Sequence, residues 1–226
     1  MTYNVESLNN SLIKLLNQET VSFLVQRTGV NRNQLVPAIE SVTAFLLRLI
    51  ERADTFNYSE LASIFTRNGR DTNTTDKIMV AIKAGHKHNA LSDARKLLNL
   101  VIRDQQEVFH DMLAKQHNIS KNQAEQVIFI GAVLTNVILG HCMITNKMNM
   151  RAITRHIKSE AYDLSEKMSI DMKDLNRQLT NQNVFIDERK SLQEEPQNNS
   201  VMYAGIFAGI LIFISVLYKA CTGSFH

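Results

Sequence analysis

The feature that most constrains this sequence is an uncharged apolar run near its C-terminus. The eighteen residues from Val201 to Tyr218 read VMYAGIFAGILIFISVLY. As a helix, such a run spans about 27 Å, close to the hydrocarbon thickness of a bilayer. Tyr203 and Tyr218 lie near its ends, where tyrosine prefers the membrane interface. The sequence therefore predicts a single transmembrane helix over residues 201–220, followed by a short tail, residues 221–226.

Small residues recur at helical spacing inside this run. Gly205 and Gly209 form a GxxxG pattern, and Ala204 and Ala208 stand beside them. Such residues let two membrane helices pack backbone against backbone. We expect membrane lipid around this helix, and a second copy of the chain or another protein as its partner.

The N-terminus lacks the features of a secretory signal. MTYNVESLNN has neither a basic n-region nor an apolar h-region. We therefore expect the N-terminal domain to be cytoplasmic and the tail KACTGSFH to cross the membrane, although Lys219 on the far side goes mildly against the positive-inside tendency.

The composition of the remaining chain favours helix. Only 8 Gly and 2 Pro are present, too few for the many tight turns of an all-β fold. The formal net charge of +3 indicates no global attraction to nucleic acid. Cys142 and Cys221 lie on opposite sides of the start of the membrane segment, so neither a disulfide framework nor a thiolate metal site is indicated. We predict an all-α fold.

Two stretches of the chain resemble each other. GVNRNQLVPAIESVTAFLLRLI (29–50) aligns without a gap with NISKNQAEQVIFIGAVLTNVIL (118–139). Asn31 followed by Gln34, and Ser120 followed by Gln123, are typical of capping boxes at helix starts. Long helices are predicted after them, over about Arg32–Arg52 and Lys121–Met143. The sequence thus predicts a duplicated unit of helix, turn and long helix, in which each long helix packs against its counterpart.

These elements give a domain map. A helical domain covers 1–182, with repeat units at about 10–52 and 97–143 and amphipathic helices at about 149–181. Weaker signals between the units predict peripheral material: a short helix near Ser59–Phe65, a polar turn over 67–76 and a short helix near Lys77–Ala84. Residues 183–200 lack an apolar period, so we predict a flexible linker there.

The repeated motifs resemble a known bacterial family. Thr28-Gly29-Val30-Asn31, Asn118-Ile119-Ser120, Ile138-Leu139-Gly140 and the segment Met150–Glu160 are similar to the duplicated unit of the YidB-like family, whose function is unknown. The resemblance covers about residues 10–165, although this chain is poorer in Gly and Ala. Some relatives continue into a membrane helix that ends in Lys-x-Cys, and Lys219-Ala220-Cys221 is similar. The resemblance implies a bacterial inner-membrane location and supplies no catalytic residues.

The histidines and cysteines form no recognisable reactive motif. His86 and His88 are the only close histidine pair, and no further ligand stands at a recognisable spacing, so we predict no metal site. His110 and His117 are interpreted as structural residues near the second turn. Burial is expected to raise the pKa of Cys142 and make it inert. Phosphate-loop and Ser-elbow motifs are absent from the sequence, so we predict no enzyme, no cofactor and no small-molecule substrate.

The first turn also resembles a helix-turn-helix. Arg27, Arg32 and Arg48 would then contact DNA. A recognition helix needs an exposed polar face, whereas the helix after Asn31 is apolar, so we do not favour a nucleic-acid partner.

A group of cations lies between the two units. Its members, which could face the anionic inner leaflet, are Lys77, Lys83, Lys87, Arg95 and Lys96.

From the sequence alone we expect a non-enzymatic, membrane-anchored helical interaction or scaffold module at the cytoplasmic face of the membrane. One alternative is a tail-anchored regulator of membrane permeability or cell death, which also pairs a helical domain with a C-terminal anchor. The other is a membrane-bound, helix-turn-helix-like DNA-binding regulator.

Overall fold

The helices of this protein begin and end close to its cap signals. A computed structural model describes residues 6–53, 57–70 and 89–180, which lie in one compact unit and contain helices and turns with no strand. The all-α fold class is confirmed. The helices are α1 (Leu8–Leu15), α2 (Gln18–Thr28), α3 (Arg32–Glu51), α4 (Tyr58–Arg70), α5 (Asn89–Val101), a 3-10 turn (Arg103–Gln105), α6 (Gln106–His117), α7 (Lys121–Ile144), α8 (Met150–Ser159), α9 (Ala161–Glu166) and α10 (170–180). The predicted linker, transmembrane helix and tail lie outside the described residues.

Helix α7 is the centre of the domain. Its start is the capping box predicted from the sequence: the Gln123 N–H donates to Ser120 Oγ at 3.2 Å, and the Ser120 N–H donates to Gln123 Oε1 at 2.9 Å. Most of its length is buried, and it packs most extensively against α4 and also against α3, α5 and α6. The other helices therefore depend on α7 for an apolar surface to cover.

The start of α3 differs from the expected capping box. The Asn31 side chain accepts from the Asn33 N–H at 3.3 Å and so caps the helix. Gln34 Oε1, however, does not accept from the Asn31 N–H, and Gln34 Nε2 donates to carbonyls of the second turn. The predicted second half of this box is therefore wrong, and a contact between the two units takes its place.

Helix α4 is not peripheral, contrary to the interpretation of the segment between the units. Leu61, Ile64 and Phe65 are fully buried. The predicted polar turn from residue 67 is also wrong in its first residues, since the helix continues to Arg70. The end of α4 packs closely on α7. A Cβ added at Gly140 of α7 would stand only 2.5 Å from the backbone nitrogen of Gly69. Gly69 stays helical because two helices cross there with their backbones almost in contact.

The two long helices also meet where the sequence alignment pairs their residues. A Cβ at Gly131 would lie 2.4 Å from Val42 Cγ1, so α7 approaches α3 closely at this point. Beside the crossing, the Phe45 and Phe109 rings stack with their centroids 4.2 Å apart, and both side chains are fully buried. Burial of one such ring stabilises a fold by roughly 1.5–3 kcal/mol.

The sequence did not predict three of the helices. These are α1 and α5, at the N-terminal edges of the two predicted units, and α9, which lies within the stretch 149–181. Helix α1 is only two turns long, which leaves little room for a visible apolar period. Its first free N–H, on Leu8, donates to both carboxylate oxygens of Glu160 at 3.0 Å. Ser7 caps the same end locally, since its Oγ accepts from the Asn10 N–H at 3.1 Å, and Glu160 adds a partner from far along the chain.

Candidate functional site

The most specific polar arrangement in the domain joins the two turns. We call it the glutamine clasp, made by the Gln34 and Gln123 side chains and the four backbone carbonyls that they bind. Gln34 Nε2 donates to the carbonyls of His117 at 3.2 Å and Asn118 at 2.9 Å. Gln123 Nε2 donates to the carbonyls of Thr28 at 3.5 Å and Gly29 at 3.0 Å. The contacts are reciprocal, because each long helix holds the turn that precedes the other.

The local chain geometry presents these carbonyls. Helices α2 and α6 both end in a left-handed residue, Gly29 with φ of 65° and Asn118 with φ of 51°. Glycine and asparagine are the residues that adopt this conformation most readily. The last carbonyls of a helix have no partner within the helix. The clasp supplies donors for them, so its chemistry is structural.

A second polar cluster surrounds the Ser41 hydroxyl. Ser41 Oγ donates to the Lys167 carbonyl at 2.7 Å and accepts from Gln116 Nε2 at 3.2 Å. His117 Nε2 lies 3.1 Å away. Since the one hydroxyl proton is used on the Lys167 carbonyl, His117 Nε2 must itself carry a hydrogen and donate. A nucleophilic serine needs an imidazole that accepts, so this pair is arranged for packing.

Burial controls the protonation of His117. It lowers the pKa of the imidazole, because the charged form loses hydration among the surrounding helices. His110 is also buried, 9% exposed, with its Nδ1 3.8 Å from Glu107 Oε1 on the same helix. Both residues thus lie against the fold, in keeping with their interpretation as structural residues.

Cys142 lies buried near the end of α7, 4% exposed. Burial raises the pKa of its thiol to about 11, and the negative charge of Glu160 adds to the effect. The thiol therefore stays protonated near neutral pH, and a protonated thiol is neither a nucleophile nor a metal ligand. Glu160 itself is held by α1 and lies 3.4 Å from His156 Nε2.

A buried carboxylate joins α4 to α5. Asp93, 3% exposed, receives Arg67 Nη2 at 2.7 Å on one oxygen and Arg67 Nε at 3.2 Å on the other. Asn68 Nδ2 adds a third donor at 3.0 Å. Hydrogen bonding to Asp93 raises the pKa of Arg67. No pattern of neighbouring residues predicts this cluster, because its members lie on either side of the segment 71–88.

No metal centre is visible within residues 6–53, 57–70 and 89–180. No group of three or more His, Cys, Asp or Glu side chains there could hold a metal ion. His86 and His88 lie outside the described residues.

The predicted lipid-facing residues are only partly described. Arg95 and Lys96 are exposed on α5, with the Arg95 guanidinium 5.8 Å from the centroid of the Phe129 ring. Lys77, Lys83 and Lys87 lie outside the described residues, as do the membrane-helix residues Ala204, Gly205, Ala208 and Gly209.

The three arginines of the helix-turn-helix interpretation have different surroundings. Arg27 and Arg32 are exposed. Arg48 forms an ion pair with Glu51, and both side chains are only 11% exposed. Helix α3 is buried along most of its length. A recognition helix must present a polar face to the major groove, and α3 instead contributes its surface to the core.

One cationic surface was missed by the sequence interpretation. Arg151, Arg155 and Lys158 are exposed on α8, while Ile153 and Ile157 on the same helix are buried. A signal was available, because the sequence contains no Asp or Glu from residue 126 to residue 159.

Among the described helices, α7 is long and apolar enough to cross a membrane by length and composition alone. In this fold, 72% of its most apolar eighteen-residue window is buried inside the domain. A central helix of a packed domain has the same properties.

The fold and these contacts define the protein as an all-α domain with a central apolar helix and polar clusters that join its helices. Comparisons of the chain with protein-family models, with curated proteins and with solved structures found no match. The resemblance to the YidB-like family therefore stays a prediction that rests on the motifs quoted above.

Proposed function

We propose that this protein is a non-enzymatic interaction or scaffold module, held at the cytoplasmic face of a bacterial inner membrane by its C-terminal helix. The observation that carries the proposal is the use made of buried and half-buried polar side chains. Gln34, Gln123, Ser41 and Asp93 each bind groups on another helix or on a distant turn. Their chemistry holds the helices in fixed positions, which suits a domain that presents surfaces to partners.

The anchor supplies the second part of the proposal. The uncharged run Val201–Tyr218 is long enough to span a bilayer, and a tether raises the effective concentration of the domain for anything else on that membrane. Gly205 and Gly209 offer a face for packing against a second copy or another membrane helix.

We further propose that the domain arose by duplication of a helix-turn-long-helix unit. The glutamine clasp supports this, since Gln34 and Gln123 align in sequence and bind aligned carbonyls. The contact between Val42 and Gly131 supports it as well, because these aligned residues meet at one point, as expected near an axis that relates two similar units.

Extraction of membranes tests the anchor. Membranes from cells that express the full chain are washed with alkaline carbonate, beside a control chain that stops at Ser200. We expect the full chain to stay in the pellet and the control to appear in the supernatant. Release of the full chain would refute the anchored module.

One observation favours the regulator of membrane permeability as a second candidate. A domain with an apolar helix of spanning length at its centre, α7, has a segment that a bilayer could accept if the surrounding helices opened. Release of an entrapped dye from vesicles that carry the full chain would support this function. Vesicles that stay sealed at high protein density would count against it.

A further inference from the structure

Helix α8 divides into an apolar and a basic face. Met150, Ile153 and Ile157 are buried, at 5%, 1% and 0% exposed. The exposed residues Arg151, Arg155 and Lys158 follow an i, i+4, i+7 spacing, which places them along one stripe of a helix. We call this stripe the α8 basic face.

The α8 basic face carries uncompensated charge. Of the residues that the structure describes, none forms an ion pair with Arg151, Arg155 or Lys158, whereas Lys121 and Lys167 elsewhere in the domain are paired with carboxylates. Glu160, the nearest acid along the sequence, is engaged by the Leu8 N–H. Lys147, exposed in the preceding turn, adds a fourth cation.

Apolar side chains stand next to this face along the chain. Tyr162, in the helix that follows α8, is 76% exposed, and Ile144, the last residue of α7, is 39% exposed. A basic helix flanked by exposed apolar residues suits the boundary between lipid headgroups and acyl chains, where cations meet phosphates and apolar groups enter the bilayer.

We propose that the α8 basic face docks on anionic phospholipid headgroups of the membrane that holds the C-terminal helix. This inference rests on the proposed function for the anchor and adds α8 to the cations that the sequence analysis expected to face lipid. Residues 183–200 cannot extend beyond about 60 Å, so the chain limits the distance from which docking starts. Each cation near an anionic surface favours docking roughly fivefold, which makes three cations worth about a hundredfold.

Energy transfer from a single tryptophan tests the docking. The sequence contains no Trp, so Tyr162→Trp in the full chain provides a unique donor beside the α8 basic face. The protein is reconstituted into vesicles of phosphatidylcholine alone, or with a third of phosphatidylglycerol, each with a trace of dansyl-labelled headgroups. We expect stronger transfer in the anionic vesicles, weakened by added salt.

Charge reversal makes the test specific. Arg151→Glu, Arg155→Glu and Lys158→Glu together should reduce the docking constant at least a hundredfold and remove the difference between the vesicles. The corresponding Gln variant should lose less, in the same direction. The matched control, Arg27→Glu, Arg32→Glu and Lys115→Glu, makes the same change of charge at exposed residues elsewhere and should keep the difference.

The outcomes separate this inference from the anchor. Equal transfer in both vesicles, with the protein still resistant to carbonate, would overturn the docking and leave the anchor in place. A chain that is released by carbonate yet floats with anionic vesicles alone, reversibly with salt, would refute the anchor and support the α8 basic face. Binding of a DNA duplex through the same three residues, without a response to anionic lipid, would overturn the proposal in favour of nucleic acid.

Discussion

At Ser41 a single hydroxyl joins three parts of the chain. It lies on α3, binds two side chains at the end of α6, and donates to a carbonyl in the connection that follows α9. A buried hydroxyl with all its bonding positions used costs the fold little, whereas an unpaired one would cost about 1–3 kcal/mol. The cluster therefore makes the positions of these three segments depend on one another.

The lowered pKa of His117 makes the free energy of unfolding depend on pH. Its pKa in the folded state lies below the value of about 6.5 expected in the unfolded chain. Between these two values the unfolded chain binds more protons, so stability falls as the pH is lowered below about 6.5 and levels off below the folded pKa. Above about 6.5 the residue makes no difference. We expect the urea concentration at the unfolding midpoint to be lower at pH 5 than at pH 7.5.

The variant His117→Gln isolates this effect. Glutamine can still donate to Ser41 but does not titrate. The variant should therefore lose less stability on acidification than the natural chain. All other ionisable groups are shared by the two proteins, so the difference between their pH profiles isolates residue 117. Identical pH profiles would show that His117 is not the source.

At the scale of helices, the glutamine clasp should contribute measurably to stability. Gln34→Ala and Gln123→Ala should each lower the free energy of unfolding by about 1 kcal/mol, because each removes the donor from carbonyls at a helix end. Gln123→Ala should cost more, since its Oε1 also accepts from the Ser120 N–H. Thermal or urea unfolding followed by circular dichroism measures the change.

Gln126→Ala provides the control for the clasp. Gln126 lies on α7 but is exposed, so this substitution should change stability by less than about 0.5 kcal/mol. If Gln34→Ala changed the free energy of unfolding as little as this control does, the clasp would not contribute to stability.

The glycine crossings distinguish contact with backbone from contact with a side chain. Gly140→Ala places a Cβ against backbone atoms of Gly69 and Phe65, which cannot move without separating α4 from α7. We expect a loss of about 2–3 kcal/mol. Gly131→Ala meets the Val42 side chain instead, so Val42→Ala should recover part of its loss. Double-mutant unfolding measures the recovery, and equal recovery at Gly140 by Val42→Ala would contradict the structure.

The same comparison shows what the sequence could predict. Ser120 and Gln123 lie three residues apart and form a capping box, so the local sequence predicts the start of α7. Gln34 has the same local pattern but forms no capping box, and its amide nitrogen donates to a carbonyl 84 residues away, a contact that neighbouring residues do not indicate. The residues around Gly69 have the composition of a turn. The residue against which Gly69 packs in its helix, Gly140, lies on another element, so the local sequence does not indicate the helix. The burial expected for Cys142 is confirmed, since apolar neighbours along α7 already indicated it.

For the whole molecule, the connection over residues 71–88 should be dispensable for holding the domain together. The parts on either side are joined through the packing of α4 on α7 and through Arg67 and Asp93. If a protease site is inserted between Thr75 and Asp76 and cut in detergent, the two fragments should elute together on gel filtration. Asp93→Ala should make them separate at a lower urea concentration.

Two controls define the elution positions. The uncut chain shows where the joined parts elute, and the cut chain in denaturing urea shows where the separated fragments elute. Separation of the fragments in native buffer would show that covalent continuity, and not the α4–α7 interface, holds the parts together.

The central position of α7 has a consequence for synthesis. The apolar faces of α3 and α4 are complete once residue 70 has been added, but the helix that covers them ends at Ile144. At 5–20 residues per second, the ribosome needs about 4 to 15 s to add the roughly 70 residues between these points. During that time the nascent chain carries uncovered apolar helices beside any membrane or chaperone present, so the moment of greatest risk for this protein comes before α7 has been made.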